Sequence, residues 1–248
     1  MPIRKTEDEI KSIINAYFNQ EKLRYLYDED YTGETKDTKR NISDLIAEQI
    51  LKLDDNLENY FNNNIQTINR IPRENEKSYS PKGHNLQREK EEALLREKPL
   101  DEKWLAKSLL LNKYNEIGEI KDYEIPINQE NNDGAGEIDL IAYNEETNKI
   151  SLIELKRKDN PETILRAILE ICTYYCQINK QQFKKEYANQ TQNETEIWKV
   201  VMVFENSYQH RQYEDEFSKN IRKLVEKLNI KIFLIDDDNQ IKPLVVQI

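Results

Sequence analysis

From residue 1 to about 98, apolar residues recur at intervals of three and four: Ile10, Ile13, Ile14, Tyr17 and Phe18, then Leu45, Ile46, Ile50, Leu53, Leu57, Tyr60, Phe61, Ile65 and Ile68. That spacing lines one face of a 3.6-residue helix, so this part of the chain predicts amphipathic helices. The second helix should start at Asn41 or Ser43, whose side chains can accept the free N–H groups of a first turn. It should end before Pro72, whose ring disfavours helix in the residue ahead of it. Residues 71–87 carry two prolines, a glycine and few apolar positions, which predicts an exposed linker. The charged stretch "REKEEALLREK" then predicts a helix that stops near Pro99.

Beyond Pro99 the pattern changes. "LDEKWLAKSLLLNKY" predicts a helix capped by Asp101, with Trp104, Leu105 and Leu109 facing inward. Short runs of β-type residues follow in "EIKDYEIPI", "EIDLIAY" and "KISLIELK". A long helix is predicted over roughly 162–179, a strand at "IWKVVMVFE", a helix over about 213–228, and two closing strands joined at "DDNQ". Three successive strands can form an antiparallel meander, whereas a helical crossover brings the next strand in parallel. The expected class is therefore α/β with a mixed sheet over 99–248, preceded by a helical N-terminal region over 1–98.

Within "KISLIELK" side chains alternate between faces, so Ile150, Leu152, Glu154 and Lys156 share one and Ser151, Ile153 and Leu155 the other. Both faces are apolar until Glu154. An interior strand that turns ionic at its end needs compensation, because burying a lone carboxylate costs several kcal/mol. A Glu154–Lys156 ion pair would supply it, but leaves Asp139 of the preceding strand unexplained. A hairpin around "YNEETNK" brings Asp139 beside Glu154 if both lie at the same sheet end. Two carboxylates beside one lysine repel each other unless a cation or a proton sits between them. A hard divalent ion such as Mg²⁺, with Mn²⁺ as a substitute, suits two such oxygen donors. A metal held there could activate water toward a phosphodiester, with Lys156 orienting that water.

At these residues the chain resembles the PD-(D/E)XK nuclease superfamily, in which an Asp ends one strand and E-x-K lies on the next, here Asp139 and Glu154-Leu155-Lys156. The string "GEIDLIA … LIELKRK" is most similar to the junction resolvases and mismatch endonucleases of that superfamily, although Ile138 stands where the signature has proline. The resemblance implies an αβββαβ restriction-endonuclease-like core over about 100–204. It implies metal ligation by Asp139, Glu154 and the Leu155 carbonyl, and a further catalytic glutamate on the first helix, for which Glu102 is best placed. It also implies help from the helix after E-x-K, where Arg166, Tyr174 and Gln177 are the candidates for substrate contact. Arg157 and Lys158 are candidates for phosphate contacts at the rim.

Composition limits the partners. The chain has 248 residues, 34% of them charged, and a formal net charge of −10. Its pI is about 5.0 and its mean hydropathy −0.91. A protein so acidic repels a polyanion except through a local basic surface or a bound metal. Two cysteines, Cys172 and Cys176, are spaced four apart on one predicted helix, which supplies neither a zinc site nor a disulfide framework. No stretch approaches a membrane span, and a soluble cytoplasmic protein is expected. The function expected is a metal-dependent nuclease acting on DNA rather than RNA, with a homodimer compatible. The alternatives are a non-catalytic nucleic-acid-binding domain of the same fold and a protein-interaction scaffold.

Overall fold

The computed structural model describes residues 5–20, 23–29, 31–53, 57–61, 85–95, 102–126, 136–188, 194–215 and 218–244. Helix α1 spans Glu7–Asn19, opened by a reciprocal cap in which Glu9 N–H donates to Thr6 Oγ1 (3.3 Å) and Thr6 N–H to Glu9 (2.7 Å). A 3₁₀ turn over Leu23–Asp28 leads to α2, Ile42–Leu51, capped by Asn41 as expected. The long second helix of the sequence reading is divided: α2 ends at Leu51 and α3 occupies Leu57–Phe61. The continuation toward Pro72, residues 71–84 of the expected linker and Asp101 lie outside the described residues, while the linker's last residues, Leu86 and Gln87, already belong to a helix capped by Asn85. Helix α4 covers Leu86–Leu94 and α5 covers Glu102–Leu109.

The strands are β1 (Lys113–Tyr114), β2 (Gly118–Pro126), β3 (Glu137–Asn144), β4 (Lys149–Lys156), β5 (Glu196–Phe204), β6 (Ile230–Ile235) and β7 (Ile241–Pro243). They form one sheet in sequential order. Pairing is antiparallel from β1 to β4, parallel from β4 through β6, and antiparallel again at β7. The mixed sheet expected from the strand and helix order is therefore present. The crossover from β4 to β5 contains α6 (Ile164–Gln177), and also α7 (Lys180–Tyr187), a helix the sequence reading did not include. Of the helix expected over 213–228, Lys219–Lys227 forms α9, and a separate helix not expected, α8 (Tyr208–Glu214), capped by Ser207, precedes it. Helix α8 ends at Glu214, where the C-cap Asp215 has an extended ψ of 134°.

Alternation along β4 sends Ile150 and Leu152 to one face and Ile153 and Leu155 to the other, and both faces are covered. On the first face α6 packs with α1, α2, α3 and α9 in one continuous core that includes Ile14, Leu45, Ile168, Val201 and Leu234. On the second, α4 and α5 pack over Leu140, Ile153, Val200 and Met202. Helices from before residue 99 thus share a core with the α/β part of the chain. Trp104, expected to face inward, is half-buried, as is Trp198, which lies beneath the Lys149 ammonium (4.1 Å to the ring centre). The "DDDN" segment makes the β6–β7 turn, in which the Asp236 carboxylate accepts the N–H groups of Asp238 and Gln240. Among the described residues no helix is long and apolar enough to cross a membrane.

Candidate active site

The chemistry-bearing residues converge where β3 begins and β4 ends. The β3–β4 register pairs Leu140 with Ile153 and Ile141 with Leu152, which sets Asp139 opposite Glu154 one step further. Opposed residues of an antiparallel pair project from the same face. The ladder stops short of that step: Asp139 Oδ2 instead accepts the Leu155 N–H at 2.7 Å. A strand residue turns its N–H and C=O to the same side, so the Leu155 carbonyl also faces β3.

Lys156 reaches the face that carries Glu154 because they are two apart on a strand. Its residue is only 3% exposed, and its ammonium lies 2.9 Å from each of Glu154 Oε1, Glu162 Oε2 and Glu170 Oε2. Burial opposes its charge, but Glu154, Glu170, Glu102 and Asp139 together raise its pKa well above that of an ordinary lysine. The lysine is therefore a fixed cation.

The carboxylates around it are not equally satisfied. Burial is the largest influence on Asp139 and, despite the attraction of Lys156, pushes its pKa up to about 8. Burial and then the Asp139 charge push Glu154 well above the ordinary glutamate value. Glu154 Oε2 is buried and receives no hydrogen bond from a donor. Glu170 behaves oppositely: burial works against its charge, but Lys156, a hydrogen bond shared with Glu154 and the nearby Arg166 lower its pKa. Burial and the facing acids thus favour the protonated form of Glu154, hydrogen-bonded to Glu170. Opposed acids with an unsatisfied oxygen are also the donor chemistry of a hard divalent cation. Among the described residues no set of three or more His, Cys, Asp or Glu side chains is arranged to hold a metal ion, and Lys156 lies between the acids.

Of the other expected site residues, Glu102 comes from the first turn of α5 and accepts from Asn160 Nδ2 (2.6 Å) and more distantly from the Arg157 N–H (3.5 Å). It thereby ties α5 to the turn after β4 and adds negative potential at Asp139 and Lys156. Helix α6 contributes Arg166, whose side chain spans Glu162 and Glu170 at 3.1 Å each, and Tyr174, whose ionisation is opposed by burial and by the Glu154 and Glu170 charges. Gly136 has φ +80°, and a Cβ there would lie 2.4 Å from the Tyr174 hydroxyl. Glycine at that position lets β3 start directly over the ring. Gln177, on the last turn of α6, is buried, and among the described residues no hydrogen bond joins it to the cluster. Arg157 pairs with Asp159 and Lys158 with Asp237, both outside the buried group.

Two residues of the cluster had no role assigned from sequence. Glu170 belongs to the polar stripe of Arg166 and Tyr174 at i+4 spacing, and that stripe was its only signal. Glu162 sits in the turn before α6, and no local pattern aims it at Lys156. No family model, curated protein or solved structure matches this chain.

Proposed function

We propose that the protein is a metal-dependent nuclease of the PD-(D/E)XK superfamily, hydrolysing phosphodiester bonds of nucleic acid, with DNA the preferred substrate. The observation that carries this reading is the opposition of Asp139 and Glu154 across the end of the β3–β4 ladder, with Lys156 two residues further on the same face. The order α5, β2, β3, β4, α6, β5 supports the αβββαβ core of that superfamily. The β1 hairpin and β6–β7 extend the sheet at either side.

Asp139, Glu154 and the Leu155 carbonyl would hold Mg²⁺ or Mn²⁺. Bound there, the ion supplies charge neutralisation at the scissile phosphate and a water of lowered pKa. Both carboxyls have raised pKa values, so metal binding would be coupled to proton release from the pair. Lys156, kept charged by its acidic neighbours, orients the attacking water. Glu102 and Asn160 hold the turn after β4, which keeps Lys156 in place. Arg166, partly exposed and paired with the same two glutamates, Glu162 and Glu170, provides the second positive group for a phosphate.

The test is incubation of purified protein with single-stranded, double-stranded and branched substrates in Mg²⁺ or Mn²⁺, alongside Lys156→Ala. Metal-dependent cleavage by the wild type and none by the variant is expected. Equal cleavage by both would overturn the assignment. Binding without cleavage on every substrate would move the reading to a nucleic-acid-binding domain of the same fold, and binding that is absent or insensitive to salt would move it to an interaction scaffold.

A further inference from the structure

Four side chains close an ionic ring beside the acid pair. Lys156 Nζ contacts Glu162 Oε2 and Glu170 Oε2 at 2.9 Å, while Arg166 contacts the remaining oxygens, Nη1 to Glu162 Oε1 and Nε to Glu170 Oε1, at 3.1 Å. Each carboxylate is therefore bracketed, one oxygen to the lysine and one to the arginine. A phosphodiester offers its two non-bridging oxygens in a similar fork, and Arg–carboxylate and Arg–phosphate recognition share this geometry.

The two glutamates differ in how they are held. The Glu170 side chain is 7% exposed, in the middle of α6, and is hydrogen-bonded to Glu154. The Glu162 side chain is 27% exposed and lies in the turn before the helix. The Glu162 backbone is pinned, its N–H donating to Asn160 Oδ1 (2.8 Å) and its carbonyl accepting from Gln209 Nε2 (2.7 Å). Among the described residues its side chain is otherwise met by one long contact, from Asn160 Nδ2 (3.4 Å). The carboxylate can thus rotate into water without any backbone movement, leaving Lys156 and Arg166 facing an anion-sized position beside the acid pair.

We propose that Glu162 is a built-in stand-in for the substrate phosphate: it occupies the Lys156–Arg166 subsite in the resting protein and is displaced when a nucleic-acid phosphodiester enters. The proposal rests on the nuclease reading for the identity of the ligand, but its own observation is the ring. It assigns Arg166 to substrate binding and gives an acidic protein a way to keep two cations paired until a phosphate arrives. Glu162 competes with every phosphate and therefore raises the threshold for weak, non-specific binding.

The experiment measures binding of a fluorescently labelled single-stranded oligodeoxynucleotide, and of its duplex, to the full chain in chelator, where cleavage plays no part. Glu162→Gln should bind about tenfold more tightly than wild type, the scale expected for removing one competing charged contact. Arg166→Ala in the Glu162→Gln background should remove the gain and reduce the salt dependence of binding by about one ion. Glu92→Gln makes the same change in net charge on the exposed face of α4, where Glu92 pairs only locally with Arg88, and should leave affinity near wild type. Unchanged or weaker binding by Glu162→Gln, in protein whose thermal unfolding shows it folded, would overturn the proposal. An equal gain from Glu92→Gln would overturn it too, by tracing the effect to overall charge. Tighter binding by Glu162→Gln in a protein that never cleaves would keep the subsite and reject the nuclease reading. Cleavage with no change in binding would do the reverse.

Discussion

Two buried carboxylates, Asp44 on α2 and Glu154 on β4, are 6% and 4% exposed and have opposite surroundings. Asp44 Oδ1 accepts the backbone N–H groups of Asn220 (2.7 Å) and Ile221 (3.2 Å), and its Oδ2 accepts from the Asn220 amide (2.7 Å). It acts as the cap that Ser218, which makes no side-chain capping bond, does not supply to α9. Glu154 has one cation, an opposing acid and an oxygen with no donor. A buried acid whose lone pairs are filled by backbone donors is a fixed bracket, here joining an N-terminal helix to the far end of the chain. An acid left short of donors beside another acid can take up a proton or a metal ion, and that capacity for exchange is what a catalytic centre needs.

The comparison can be broken by removing one acid of each kind. Asp139→Asn should lower metal-dependent cleavage on the order of 10³-fold, measured as kcat/KM on the preferred substrate. Its stability in chelator should be equal to or greater than that of wild type, because the substitution relieves a repulsion. A stable, fully active Asp139→Asn protein would remove Asp139 from the site. Asp44→Ala should do the opposite: it leaves the first N–H groups of α9 unsatisfied and should cost about 2 to 3 kcal/mol, read from denaturant unfolding, with activity per folded molecule retained.

A smaller effect is expected at Gly136. Its positive φ and the closeness of the Tyr174 hydroxyl mean that Gly136→Ala should cost about 1 to 3 kcal/mol, again by denaturant unfolding. The last effect is a slope in pH. Unfolded, Asp139 releases its proton near the ordinary carboxylate value of 3.8, whereas folded it does so only near about 8. Over that interval the folded chain binds more protons, so stability in chelator should fall as pH rises. Asp139→Asn should flatten the slope, and Mg²⁺ should restore stability at the alkaline end by binding the ionised pair. Unfolding curves in chelator and in Mg²⁺ across that range decide it.

Much of the framework was legible because it rests on local periodicity. The alternation in "KISLIELK" assigned Glu154 and Lys156 to one face, and the hairpin after β3 brought Asp139 opposite, as the register shows. The strand and helix order gave the mixed sheet. Boundaries were less legible: the helix expected over 213–228 is α9, starting six residues later with α8 unforeseen before it, and the helix after Asn41 became α2 and α3. Helical spacing continues across such breaks, so apolar periodicity alone does not reveal them.

The sequence by itself determined which residues share a face, since a strand repeats every two residues and a helix every 3.6, and that was enough to put two acids and a lysine at one end of the sheet. The tertiary structure alone decided what surrounds them. Glu162 and Glu170 meet Lys156 because α6 crosses the sheet on that face. Asn160 meets Glu102 because α5 packs on the other face and reaches the turn after β4. Asp44 caps a helix 176 residues away. These contacts depend on how whole elements pack, and the short-range pattern of a chain carries no record of that packing.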